Sequence, residues 1–214
     1  QALGWRINRH EGKLTGLAAL GEPSAYKAIT DHFKVDEDGQ IRSDFATNPD
    51  LRRFMFETAE NISREDMAAS IQQVLEQVTL ASVRRLLERH PVRHLGLSGG
   101  VFGNVRLNRL LAEETDIDEV FVYPAMSDQG LPAGGVLQYL LERDGMDAWL
   151  NARYPLETLY LGRDWGNGAD KVLGQTPGLK VISGKPVEKT AELLQDGKAV
   201  AIFTQGMEFG PPAL

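Results

Sequence analysis

Two glycine turns hold the residues best placed for chemistry. Ser98-Gly99-Gly100-Val101-Phe102-Gly103-Asn104 joins an apolar stretch to a helix-like one, and Ser127-Asp128-Gln129-Gly130 does the same one unit later. Paired glycines let backbone amides approach a phosphate, and the N-terminus of the following helix favours the negative charge. Ser98, Gly99, Gly100 and Asn104 are therefore candidate nucleotide contacts. Asn104 either caps the helix or bonds the nucleotide, and a Gly-Gly pair alone is equally a tight turn. Asp128 comes just after Pro124 at the end of a second apolar strand. A carboxylate there can bind a cation beside a phosphate, or it can cap the helix that begins near Leu131. Position alone favours the cap.

Other titratable residues carry less. His90 and His94 have the His-x-x-x-His spacing of a metal pair on one helix face. Pro91 lies between them, so the helix ends and the two rings are expected not to converge. His10 and His32 have no partner at metal spacing. Lys13 could reach an anionic ligand from the segment Gly12–Gly21, although a lone lysine there is ordinarily solvated.

The elements that position these residues read as alternating strand and helix. Ser63 with Asp66 resembles a capping box, and Met67, Ile71, Val74, Leu75, Val78, Val83, Leu86 and Leu87 keep helical spacing, which predicts a helix over Arg64–Arg89 ended by Pro91. Val92–Leu97 and Glu119–Tyr123 are the expected strands, each followed by a glycine turn and a helix, Asn104–Glu114 and Leu131–Arg143. Such alternation implies parallel pairing, with both turns at carboxyl ends of strands, where open α/β sheets bind ligands. Upstream, Val35–Ile41 reads as a hairpin around Asp38-Gly39, and Gly12–Gly21 as a glycine-punctuated loop with room for a short helix. Composition changes after Gly145. Trp149, Tyr154, Tyr160 and Trp165 cluster there, with Trp149 and Trp165 read as packing anchors, Leu156–Leu161, Leu179–Ser183 and Lys198–Gln205 as strands, and Pro186–Asp196 as a helix. A domain boundary is placed near residue 149, giving 1–148 and 149–214.

The 214 residues carry a net charge of −7, with 42% hydrophobic and 25% charged residues, as expected of a globular protein with a core. An acidic balance argues against a nucleic-acid partner, which would require clustered Lys and Arg. No apolar run approaches the roughly 20 residues of a membrane helix. Cysteine is absent, which excludes disulfides and thiolate metal sites and fits a cytoplasmic location. Gln1 and the Glu208–Leu214 stretch give both ends the look of cuts in a longer chain.

In order along the chain, several segments resemble one family. Gly12–Gly21 looks like Gly-Lys-x-x-Gly-Leu-Ala-x-x-Gly, Leu97–Asn104 like Leu-Ser-Gly-Gly-x-x-x-Asn, and the run to Gly130 like Pro-x-x-x-Asp-x-Gly. Tyr160-Leu161-Gly162 resembles the entry to that family's second domain. Gln205–Leu214 is similar to Gln-Gly-Arg-Met-Glu-Phe-Gly-Pro-Arg-Ala-Leu. These are motifs of the O-carbamoyltransferases of nodulation-factor and antibiotic biosynthesis.

The resemblance implies an α/β fold: the later half of an actin-like (ribonuclease-H-like) ATPase domain, then the start of a domain similar to threonylcarbamoyl-adenylate synthases. It implies that a carbamoyl group passes from carbamoyl phosphate, through carbamoyl-adenylate made with ATP, to an acceptor hydroxyl, with iron as the metal. Carried over by position, Gly100 and Asn104 contact the nucleotide, Asp128 is a metal ligand, and Glu208 falls within the last motif. A homodimer is compatible with this reading. Two departures stand out: the arginine after Gly206 is missing, and Pro212 replaces the arginine of Gly-Pro-Arg. Both remove charge that would meet an anionic substrate. The resemblance also leaves out the first half of the actin-like domain, with the family's metal histidine pair, and the rest of the second domain, so this chain alone is expected to be inactive as a truncated piece. The alternatives are a related tRNA threonylcarbamoylation-type protein and a non-catalytic nucleotide-binding module.

Overall fold

The computed structural model describes residues 2–6, 10–163, 165–166, 168–182, 184–203 and 206–210. Contacts divide the chain into two units, Gln1–Gly130 and Leu131–Leu214.

The first unit is organised around one helix. α4 (Arg64–Arg89) has the bounds expected from the sequence: the Ser63 hydroxyl accepts from the Asp66 amide, and the helix closes before Pro91. Before it come α1 (Glu11–Ala18), α2 (Tyr26–Thr30), strands β1 (Phe33–Val35) and β2 (Ile41–Ser43), and α3 (Asn48–Glu60). The glycine-punctuated segment thus does carry a helix, α1. β1 and β2 form the expected antiparallel hairpin. Its turn is organised by Asp36, whose carboxylate accepts from the Gln40 amide at 2.8 Å and from Arg42 Nε at 3.0 Å. The N-cap of α3 is Thr47, with Pro49 in the first turn, where proline's missing N–H costs nothing.

After α4 come β3 (His94–Leu97), α5 (Val105–Glu113) and β4 (Glu119–Val122). β3 and β4 pair in parallel, His94 opposite Glu119 through Leu97 opposite Val122. The Arg93–Asp118 ion pair pins the start of the two strands, and its hydrogen bond holds the Asp118 carboxyl below the ordinary carboxylate range.

Two apolar cores flank α4 along its length. Met67, Ala68 and Val74 of α4 join Leu3, Ala18, Ala25 and Ile29 in the first. Leu80 and Val83 join Leu97, Leu107 and Leu111 in the second. The apolar stripe read from the sequence is corrected at two points: Leu86 is 43% exposed and Leu80 is buried. The cause is a second stripe, Gln72, Glu76, Leu80 and Val83 at helical spacing, which faces α5 and the β3–β4 pair.

The second unit contains α6 (Leu131–Ala152), α7 (Gly168–Gln175) and α8 (Pro186–Gln195). α6 runs past the expected end at Arg143 but breaks at Gly145, whose φ of 82° is left-handed. No strand forms at 156–161, 179–182 or 198–203 among the described residues. A strand needs a paired edge, and these segments leave Leu161, Val181 and Ile202 exposed. Ser183, Thr204 and Gln205, the ends of two of those expected strands, lie outside the described residues. Of the two expected packing anchors, Trp149 is half-buried, whereas Trp165 is exposed with Arg163 stacked on it at 4.4 Å. The two segments carrying the family-like motifs do meet. Gly162 N–H donates to the Met207 carbonyl at 2.9 Å and Phe209 N–H to the Leu159 carbonyl at 2.7 Å.

Leu111 is fully buried in the second core, so Leu111→Ala is expected to cost about 2–5 kcal/mol, read by denaturant titration. The Gln40 amide, then Arg42 and the Asp38 amide, hold the Asp36 carboxyl below its ordinary pKa. A depressed folded pKa contributes stability above the unfolded value and loses it as pH falls through the folded one. Asp36→Asn should therefore lower the melting temperature at neutral pH, and the difference from wild type should close below about pH 4.

Candidate functional site

The carboxyl ends of β3 and β4 bring the two glycine turns together. Gly99 takes a φ of 115°, a region that residues with a Cβ rarely enter. Its N–H donates to the Met126 carbonyl at 2.6 Å, a bond from one turn directly to the other. A Cβ on Gly100 would stand 3.2 Å from the Ser127 hydroxyl, so a side chain there would require Ser127 to give by a few tenths of an ångström. Residues Gly100–Gly103 then wind as a 3-10 turn into the N-cap of α5. In the partner loop Asp128–Gly130 forms a similar turn. A Cβ on Gly130 would collide with the Ala125 carbonyl. The result is one rim with two turns, at the end of a parallel pair where α/β sheets place anionic ligands.

Asn104 caps α5, its Oδ1 accepting from the Leu107 amide at 3.1 Å. It also belongs to a polar chain that enters the protein. Its Nδ2 donates to Gln72 Oε1 at 2.8 Å and to Thr15 Oγ1 at 3.3 Å, and Gln72 Nε2 donates back to Asn104 Oδ1 at 3.2 Å. Gln72 Nε2 also donates to Glu76 Oε1 at 2.8 Å, and Arg106 Nε donates to that same oxygen at 2.7 Å. Thr15, Gln72, Glu76 and Arg106 were not legible as site residues. The available signal was the spacing of Gln72 and Glu76, one turn apart in a stripe that continues as Leu80 and Val83.

Of the other candidates, Ser98 and Asp128 are exposed on the rim, and Lys13 is exposed on α1. Glu208 is exposed in the second unit. Pro212 lies outside the described residues. His90 ends α4, while His94 opens β3 with its Nε2 4.0 Å from Glu119. Among the described residues no three His, Asp or Glu side chains converge as a metal site. Asp128 is thus a single carboxylate. A transition metal usually needs about three or four protein ligands, imidazoles among them, so these residues alone do not fit iron.

Comparison with known proteins adds the following. Residues 1–137 match the family model described as Carbamoyltransferase N-terminus. The chain is 29% identical to an uncharacterized protein of Methanocaldococcus jannaschii, over 100% of this chain and 36% of that protein. It is 28% identical to the nodulation protein NolNO of Sinorhizobium fredii, over 95% of this chain and 31% of that protein. A shorter match, 44% identical over 62 residues, links 28% of the chain to 18% of the tRNA N6-adenosine threonylcarbamoyltransferase of Streptococcus thermophilus. The chain thus spans about a third of the length of the first two relatives.

The rim geometry separates two glycine substitutions. Gly130→Ala should cost about 1–3 kcal/mol through the clash with Ala125. Gly96→Ala, whose Cβ meets nothing within 4 Å, should be neutral or stabilising by up to about 1 kcal/mol. Thermal melts of the two variants decide it; equal losses would mean that the turn does not approach Ala125 this closely.

Proposed function

The chain belongs to the family of carbamoyltransferase N-terminal domains, and from that membership we propose that it is part of an O-carbamoyltransferase that moves a carbamoyl group to an acceptor hydroxyl. The donor is carbamoyl-adenylate, formed from carbamoyl phosphate and ATP. The observation that carries this reading is the contact between the two glycine turns at the carboxyl ends of β3 and β4. Backbone amides of Ser98–Asn104 and the N-terminus of α5 suit the phosphate of an adenylate. In the transfer step the acceptor oxygen bonds to the carbamoyl carbon, the bond from that carbon to the phosphate oxygen breaks, AMP leaves with the electron pair, and the acceptor's hydroxyl proton passes to the departing phosphate or to water.

In this reading residues 1–148 are the later half of an actin-like domain, and 149–214 open a second, adenylate-forming domain. The pairing of 159–162 with 206–209 supports a common origin for those two motifs in one site. Asp128 offers one carboxylate to a metal, iron in this proposal, whose other ligands come from outside the described residues. The protein acts in the cytoplasm on a small hydroxyl-bearing acceptor. The short, closer match to a tRNA threonylcarbamoyltransferase favours a second reading, in which the same turns serve transfer of a threonylcarbamoyl group.

Asp128→Asn in the full-length protein tests the assignment. The amide is nearly isosteric, so the melting temperature should hold. Metal content and transfer should fall, transfer by at least about 100-fold, while adenylate formation persists. Undiminished metal and transfer would make Asp128 a turn residue only.

A further inference from the structure

Gln72 is 2% exposed and Glu76 is 6% exposed, both on a helix whose other large buried side chains are apolar. Buried polar groups are costly unless every donor and acceptor is used. Here each use points the same way. Gln72 and Asn104 form a cyclic carboxamide pair, with bonds of 2.8 and 3.2 Å in opposite directions. Glu76 accepts from Gln72 at 2.8 Å and is itself held by Arg106, which fixes which atom of the Gln72 amide meets the Asn104 NH₂. Because a carboxylate only accepts, it must meet the Gln72 NH₂, and the Gln72 oxygen must then meet the Asn104 NH₂. Asn104 Oδ1 is filled by the Leu107 amide and by Gln72. One Nδ2 hydrogen remains, on Thr15 Oγ1 at 3.3 Å, the longest bond of the set.

We infer that Gln72, oriented by Glu76, is a positioning residue that fixes the Asn104 amide, and that the N–H now on Thr15 is the one a nucleotide takes over. This rests on reading Ser98–Asn104 as the nucleotide turn. A nucleotide presents acceptors to that donor, from its phosphates, ribose and base. The Thr15 hydroxyl, once released, can rotate and donate to the same ligand. Had the Gln72 amide been reversed, Asn104 would turn its oxygen outward and repel an anion.

Calorimetric titration with Mg-ATP of wild type, Asn104→Ala, Gln72→Met and the double variant tests it. Each single substitution should weaken binding about tenfold, and the double variant should bind no more weakly than Asn104→Ala alone. Additive losses, or wild-type affinity in Gln72→Met beside a weakened Asn104→Ala, overturn the positioning role and leave the nucleotide turn standing. Unchanged affinity in Asn104→Ala removes the nucleotide turn itself. Should a variant not fold, the side-chain amide resonances of the wild type decide. Mg-ATP should shift one Asn104 Nδ2 proton strongly and leave the proton bonded to Gln72 near its place. If neither moves, or both move equally, the inference fails.

Discussion

Placing a helix through the middle of a unit requires that any polar side chain on its buried faces find a partner there. α4 meets this constraint at Gln72 and Glu76, and the first unit is arranged around the solution. The partners come from the start of α5 through Asn104 and Arg106, and Asn104 in turn reaches Thr15 of α1. These bonds are directional, unlike the surrounding contacts of Met67, Leu107 and Leu111, which would tolerate sliding. Apolar packing brings α1, α4 and α5 together; the carboxamide pair sets their register.

That register matters because the turn leading into α5 is also the turn that meets Met126 and Ser127. An anion site made of backbone amides has little chemical identity of its own. Its usefulness depends on where the amides point, and this is set by the left-handed Gly99, the close approach at Gly130 and the anchored Asn104. The charged groups nearby are spent on structure. Arg106 answers Glu76, and Arg93 answers Asp118. In the proposed reading, recognition at this rim would thus fall to oriented dipoles, with Asp128 the exposed charge among its proposed residues.

Much of this arrangement was legible. Ser63 and Pro91 marked both ends of α4, and the strand–glycine–helix alternation gave the parallel pair and put both turns at one end. Asp38-Gly39 marked the hairpin. Gln72 and Glu76 were not legible as partners of the turn, because a polar residue in a helix is ordinarily solvated. Only the three-dimensional neighbour, 32 positions away at Asn104, makes their burial intelligible. Leu86 and Leu80 exchanged roles for a related reason: α4 has neighbours on several sides, and a single-stripe reading assumes one. In the second unit, apolar runs such as Val181–Ile182 looked like strands because β-propensity describes fit to a sheet, and among the described residues no strand forms there.

Twenty-six residues in α4 span about 39 Å, with one core gathered at each end. Neither cluster can melt independently without fraying a helix on which the other depends, so the free energy of opening one is partly shared by both. Helix propagation is cooperative over such lengths, and α4 therefore acts as a thermodynamic crossbar. Local opening should be confined to the hairpin and the exposed turns, while amide protons on both halves of α4 exchange only with loss of the whole unit. The two glycine turns of the proposed site are thereby mounted on the part of the molecule slowest to yield.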